Sequence, residues 1–200
     1  MTADRARIAV LASHGGTTLQ ALIDAAADGS LHGSIVLVIS NNSASGALVR
    51  ARAAGIEALH LSGRTHPEPG AEDLAMTTAL KAAAADWVVL AGYMKQLQPR
   101  TLTDWEGRLI NTHPALLPRH GGRGYYGERV HQAVLDAGES DTGVTVHRVT
   151  GDYDRGPILA QARVAVLPED DTTTLQERVQ RTEKPLLVWT LNQCIDGAVG

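Results

Sequence analysis

Short β-branched runs alternate along this chain with alanine-rich stretches of helical period, and that alternation restricts the fold more than any other feature. "RIAVLAS" (7–13), "SIVLVISN" (34–41), "IEALHLS" (56–62) and "DWVVLAGYM" (86–94) read as strands. Between them "TLQALIDAAADG" (18–29), "ASGALVRARAAG" (44–55) and "GAEDLAMTTALKAAAA" (70–85) read as helices. Leu19, Leu22 and Ile23 share one face of the first helix, and Gly55 closes the second. The repeated strand–helix order predicts an α/β fold, a mostly parallel twisted sheet with helices on both faces. The second half differs. "GRLINTH" (107–113) and "GVTVHRV" (143–149) are strand-like, and "GPILAQARVAVLP" (156–168) reads as a bent or paired strand, so an antiparallel element is expected there. A last helix is expected from Thr172 to Ile195, interrupted near Pro185. The stretch 62–73 is expected to be a loop, because Pro67, Pro69 and Gly70 break any regular element.

Two hundred residues suffice for one domain with a substantial core, so 1–200 is read as a single unit. A net charge of −4 with no basic block disfavours nucleic acid as a main partner, though not a local basic pocket for a phosphate. The single cysteine, Cys194, precludes an internal disulfide and fits a reducing cytoplasm. The N-terminus runs straight into a strand without the apolar core of a signal peptide. No apolar run approaches the roughly 18–20 residues of a membrane span.

Chemistry is concentrated where strands end. After the first strand comes "SHGGTT" (13–18), in which Gly15 and Gly16 permit a tight turn and close backbone approach. Thr17 is expected to cap the next helix, with Gln20 as its capping-box partner. A glycine turn feeding a helix N-terminus suits an anion, because several N–H groups and the helix dipole point one way. Neither a Walker loop nor a dinucleotide fingerprint is present. Taken alone, the same residues also make an ordinary strand-to-helix turn.

"GYMKQL" (92–97), "NTHP" (111–114) and "TGDYDRG" (150–156) follow predicted strands and should gather at one sheet edge near that turn. Asn111 can donate a hydrogen bond to a developing oxyanion. His113 can carry a proton near neutral pH. Asp154 lies in a turn that could set it against the imidazole and raise the histidine's pKa. With no serine or cysteine nucleophile in these stretches, the set suits direct attack of an amine or water on an activated carbonyl. One at a time, each is an ordinary turn residue; three segments together shift the balance. A metal is not expected: the eight histidines are scattered, no HxxxH or CxxC pair occurs, and His113 and His120 sit in different local contexts.

"VLASHGGTTLQALI", "VVLAGYMKQLQP", "INTHPALLPRHGGRGYYGERVHQAVLDAGESDTGVTVHRV" and "YDRGPILAQARVAVLPEDDTTTLQERV" together resemble the phosphoribosylglycinamide formyltransferases, from Arg7 to Leu191. The resemblance implies a Rossmann-like formyltransferase fold. It implies 10-formyltetrahydrofolate as co-substrate, glycinamide ribonucleotide as amine substrate, and no metal. The family's catalytic residues fall on Asn111, His113 and Asp154. Its phosphate and ribonucleotide contacts fall on His14, Gly15, Gly16, Thr17, Thr18, Gln180 and Glu183. Its folate contacts fall on Met94, Lys95, Gln96 and Leu97, on Asn111, and on Thr150, Gly151, Asp152, Tyr153 and Asp154. Only Arg64 stands as a candidate for the family's folate-contacting arginine. The chain departs from the family's Gly-x-Gly-Ser-Asn turn, carrying His14-Gly15-Gly16-Thr17-Thr18, and Lys184-Pro185 follow Glu183 where histidine is usual. Neither nucleic acid nor membrane is implied as a partner, and a homodimer is left open. The alternatives are formyl transfer to another amine, hydrolysis of the formylfolate, a nicotinamide-dependent dehydrogenase, and an inactive nucleotide-binding module. The chain is expected to lack the C-terminal domain usual in methionyl-tRNA formyltransferases and the N-terminal regulatory domain usual in the hydrolases.

Overall fold

The computed structural model describes residues 5–198. Seven strands form one sheet: β1 (Ala6–Leu11), β2 (Gly33–Ser40), β3 (Glu57–His60), β4 (Trp87–Leu90), β5 (Leu109–His113), β6 (Asp141–Arg148) and β7 (Ile158–Ala165). Their order is β3-β2-β1-β4-β5-β6-β7. β1 to β5 run parallel, while β6 and β7 are antiparallel to their neighbours. The helices are α1 (Thr17–Asp28), α2 (Gly46–Ala53), α3 (Ala71–Ala82), α4 (Pro99–Asp104), α5 (Glu128–Asp136) and α6 (Thr172–Ile195).

The central strands are apolar on both sides because both sides are covered. Ile8, Val10, Val38, Val89 and Ile110 pack against Leu19 and Leu22 of α1, Leu48 of α2, and Leu187 and Leu191 of α6. Ala9, Leu11, Leu37, Ile39, Val88, Leu90 and Leu109 face the other way, onto Met76 and Leu80 of α3 and onto Trp105. A smaller core of Val134, Val144, Val164, Leu175 and Val179 joins α5 and α6 to the antiparallel strands.

Several local expectations are corrected. The predicted Thr17–Gln20 capping box is absent: the N-cap is Gly16, in the left-handed region at φ +73°, with no side-chain cap bond. Its backbone lies against α2, where a Cβ would come within 2.7 Å of Ala47 Cα, so glycine is required there and Thr17 becomes the first helical residue. Pro185 does not interrupt α6. It removes one backbone donor, but Val179, Leu187 and Leu191 are buried on either side of it and hold the helix to the sheet. α4 was not expected; Pro99 begins it, and the buried Asp73 carboxylate accepts from Arg100 N, Thr101 N and Thr101 Oγ1 at 2.6–3.0 Å. Neither was α5, which carries His131 and Val134 inward.

Candidate active site

A cleft of about 850 Å³ opens at the C-terminal ends of β1, β4 and β5. One wall is the glycine turn. Gly15 O accepts from Arg50 Nε (2.8 Å) and His14 O from Ser45 Oγ (2.7 Å), so α2 braces the turn from behind. Ser13 links this turn to the next loop: its Oγ accepts from Met94 N (2.8 Å), and its own N donates to Gly92 O (3.1 Å). Gln96 Nε2 in turn donates to Gly151 O (2.8 Å), joining the loop after β4 to the 150–154 loop.

β5 supplies the centre. Residues two apart on a strand share a face, so Asn111 and His113 point the same way and Thr112 points to α6. There Thr112 Oγ1 donates to Glu183 Oε1 at 2.5 Å, and Thr18 Oγ1 reaches the same oxygen at 3.4 Å. Across the antiparallel pair Asn111 lies opposite His147, with Asn111 Nδ2 3.1 Å from His147 Nε2. His147 Nδ1 is 2.8 Å from the Arg148 carbonyl, an acceptor, so the ring proton sits on Nδ1. Nε2 then faces the Asn111 amide nitrogen, and the amide is held in place.

His113 is 4% exposed. Its Nε2 lies 2.7 Å from His120 O, a carbonyl that can only accept, so Nε2 is protonated. The proton that comes and goes is therefore the one on Nδ1, which faces Asp154 Oδ2 at 3.5 Å. Asp154 Oδ1 is 3.5 Å from His147 Nε2, and Gly122 N donates to Asp154 Oδ2 at 2.9 Å. Both residues that orient His113 sit at positive φ: His120 at 50° and Asp154 at 54°. That conformation costs on the order of 1 kcal/mol or more per residue and occurs where surrounding contacts demand it.

Asp154 acts on His113 in the direction the sequence suggests, but it does not decide the balance. Burial pushes the His113 pKa down. The Asp154 charge and the His120 carbonyl oppose it, His147 and His120 add to it, and the net position is below the ordinary histidine value. Asp154 thus works against burial without overcoming it. For Asp154 itself burial acts upward, but its contacts with His147, His113 and the Gly122 N–H outweigh it and hold the carboxyl below its usual range. Burial raises Glu183, against the hydrogen bonds from Thr112 and Thr18.

Asn111, His113 and Asp154 all line this cleft. So do His14 to Thr18, Met94 to Leu97, Thr150 to Tyr153, Gln180 and Glu183. Arg64 does not. It is exposed in the loop after β3, the strand at the far edge of the sheet, and that edge position is why it is not brought to the site. His147, His131 and the His120 carbonyl were not foreseen. His147 carries only a weak signal, a histidine near the end of a strand shared with Thr142, Val144, Thr145 and Val146.

The formyl transferase family model matches residues 6–191. A trifunctional purine biosynthetic protein adenosine-3 of Drosophila melanogaster is 42% identical over 181 residues, 90% of this chain but 13% of that protein. The chain thus spans a minor part of that multifunctional relative. The phosphoribosylglycinamide formyltransferase of Escherichia coli is 36% identical over 190 residues, 95% of this chain and 87% of its own. Among solved structures, glycinamide ribonucleotide transformylase 1 of Symbiobacterium toebii superposes with a TM-score of 0.91 at 36% identity, covering 98% of this chain and 90% of that one. With a family model across most of its length and relatives matched nearly end to end, the chain belongs to the formyl transferase family, within the phosphoribosylglycinamide formyltransferases.

Proposed function

We propose that the protein transfers the formyl group of 10-formyltetrahydrofolate to the primary amine of 5'-phosphoribosylglycinamide, a step of purine synthesis. The observation that carries this reading is that one face of β5 brings to the cleft an oriented amide, Asn111, and a histidine, His113, whose Nδ1 alone is free to exchange a proton. The ribonucleotide occupies the half bounded by the glycine turn, Gln180 and Glu183, its phosphate on the N–H groups of the turn. The folate occupies the half bounded by Met94 to Leu97 and Thr150 to Asp154. A cleft of about 850 Å³ is ample for two such ligands to meet.

The free amine attacks the formyl carbon, a C–N bond forms, and the carbonyl oxygen becomes an oxyanion. An Asn111 N–H donates to it. Neutral His113 takes a proton from the attacking nitrogen at Nδ1, and the imidazolium so formed is stabilised by Asp154. Collapse breaks the bond to the folate N10, which receives that proton. Tetrahydrofolate and the formylated amine leave. No covalent enzyme intermediate and no metal is required. The buried, unpaired Cys194 is compatible with a reducing compartment, and we assign the reaction to the cytoplasm.

The test is to follow folate deformylation by purified protein with the ribonucleotide present and absent. Transfer requires the amine. Equal rates without it, with formate as product, would convert the assignment to a hydrolase.

A further inference from the structure

His131 lies on the second turn of α5, lines the same cleft and is 2% exposed. Among the described residues its Nδ1 is buried with no partner, and no hydrogen bond is made by Nε2. The mechanism above does not use it. A polar ring at this depth ordinarily finds a partner, because a buried polar atom left without one loses its hydrogen bond to water and gains none. The two ring nitrogens are not equivalent. Nδ1 is sealed from solvent, and a sealed donor without an acceptor is the costlier orphan, so the favoured tautomer leaves Nδ1 bare and carries the hydrogen on Nε2. Burial, with His113 adding to it, pushes the ring's pKa down to about 4, so it stays neutral where the enzyme works and does not compete with His113 for the transferred proton. α5 packs on α6 through Val134, Leu175 and Val179, and Thr172 Oγ1 donates to Gln132 Oε1 at 3.0 Å. His131 therefore lies on a helix packed against α6, which itself brings Gln180 and Glu183 to the cleft.

We propose that His131 is a substrate-binding residue whose Nε2–H donates to an oxygen of the amine-bearing ribonucleotide beside His113. The proposal rests on the formyl-transfer reading of the cleft. It predicts a neutral donor at the point where the substrate approaches the proton-transfer ring, one that fixes the amine's position without altering its charge.

The experiment pairs two variants with one spectroscopic readout. His131→Phe keeps the bulk and loses the donor; KM for the ribonucleotide should rise about tenfold or more while KM for the folate stays near wild type. His131→Gln returns an N–H close to the Nε2 position and should recover most of that loss. In wild-type protein with ¹⁵N-labelled histidines, the His131 ring, identified by its loss from the His131→Phe spectrum, should show the Nε2–H tautomer and shift on addition of phosphoribosylglycinamide alone. If His131→Phe does not fold, the wild-type titration with His131→Gln as the assignment reference still decides. Unmoved His131 resonances at saturating ribonucleotide, or an unchanged KM in His131→Phe, would overturn the proposal while leaving formyl transfer standing. Failure of the wild-type enzyme to bind or formylate the ribonucleotide would bring down both.

Discussion

Asn111 Nδ2 and His147 Nε2 face each other at 3.1 Å across the antiparallel β5–β6 pair, so the amide we propose to meet the oxyanion is set by a ring on the neighbouring strand. His147 is 2% exposed and its other nitrogen is anchored to the Arg148 carbonyl. Replacing it with Ala removes both the acceptor for Asn111 and a neighbour of Asp154. We expect kcat to fall about tenfold to a hundredfold with KM for either substrate changed little, because the lost interaction matters mainly in the transition state. Steady-state kinetics decide: a change confined to KM would show that His147 shapes binding instead.

His113→Ala deletes the group proposed to carry the proton. The expected loss is about 3 kcal/mol or more of barrier, at least a hundredfold in kcat, with ligand affinity nearly kept. Wild-type turnover in this variant would rule out the proposed proton path.

Asp154→Asn is a clean electrostatic test. Asparagine tolerates the positive φ of this position, and its oxygen can still accept from Gly122 N, so the shape is preserved. What disappears is the charge that raises the His113 pKa. That pKa, already below the ordinary value, should fall further, the imidazolium formed during attack should be less stable, and kcat should drop steeply. Histidine titration by NMR gives the sign directly; a His113 pKa that rises or stays put contradicts the account.

The two glycines of the first turn should separate binding from folding. A Cβ at Gly15 meets nothing within 4 Å, so Gly15→Val should leave Tm unchanged while crowding the phosphate and raising KM for the ribonucleotide more than for the folate. At Gly16 the positive φ and the contact with Ala47 should make Gly16→Val destabilising by about 1–3 kcal/mol, visible as a lowered Tm. If Gly15→Val impairs only folate binding, the two halves of the cleft are assigned the wrong way round.

Stability at low pH has a local source at the Asp170–Arg178 pair. Asp170 receives Arg178 Nη1 at 2.5 Å and Nη2 at 2.6 Å, and this pairing pulls its carboxyl down to about 2. A folded-state pKa below the unfolded one contributes stability that is present above about pH 4 and is lost as pH falls toward 2. The difference in unfolding free energy between wild type and Asp170→Asn should therefore shrink across that interval. A difference that is constant from pH 6 to pH 2 would exclude the ion pair as its origin.

Much of this was legible before any coordinates. The parallel half of the sheet follows from uninterrupted apolar runs separated by helical ones, and Asn111 and His113 follow from their two-residue spacing at a strand end. Other features depend on information that a linear chain does not display. His147 matters because the antiparallel register sets it opposite Asn111. Arg64 was expected near the folate, but β3 lies at the far edge of the sheet, a consequence of strand order and not of chain order. The lowered pKa of His113 depends on burial overcoming a carboxylate 3.5 Å away, a balance that composition cannot weigh. Pro185 is carried inside α6 because core contacts on both sides outweigh a local rule.

The central claim is that the formyl carbon passes directly from the folate to the ribonucleotide amine under the control of His113. The most direct measurement uses 10-formyltetrahydrofolate labelled with ¹³C at the formyl carbon, mixed with phosphoribosylglycinamide and followed by ¹³C NMR with wild-type protein and with His113→Ala. The account predicts that the label moves into the formamide of the product with wild type, without a build-up of formate, and that this transfer slows at least a hundredfold in the variant. Label released as formate by the wild-type protein, or transfer at undiminished rate in His113→Ala, would contradict it.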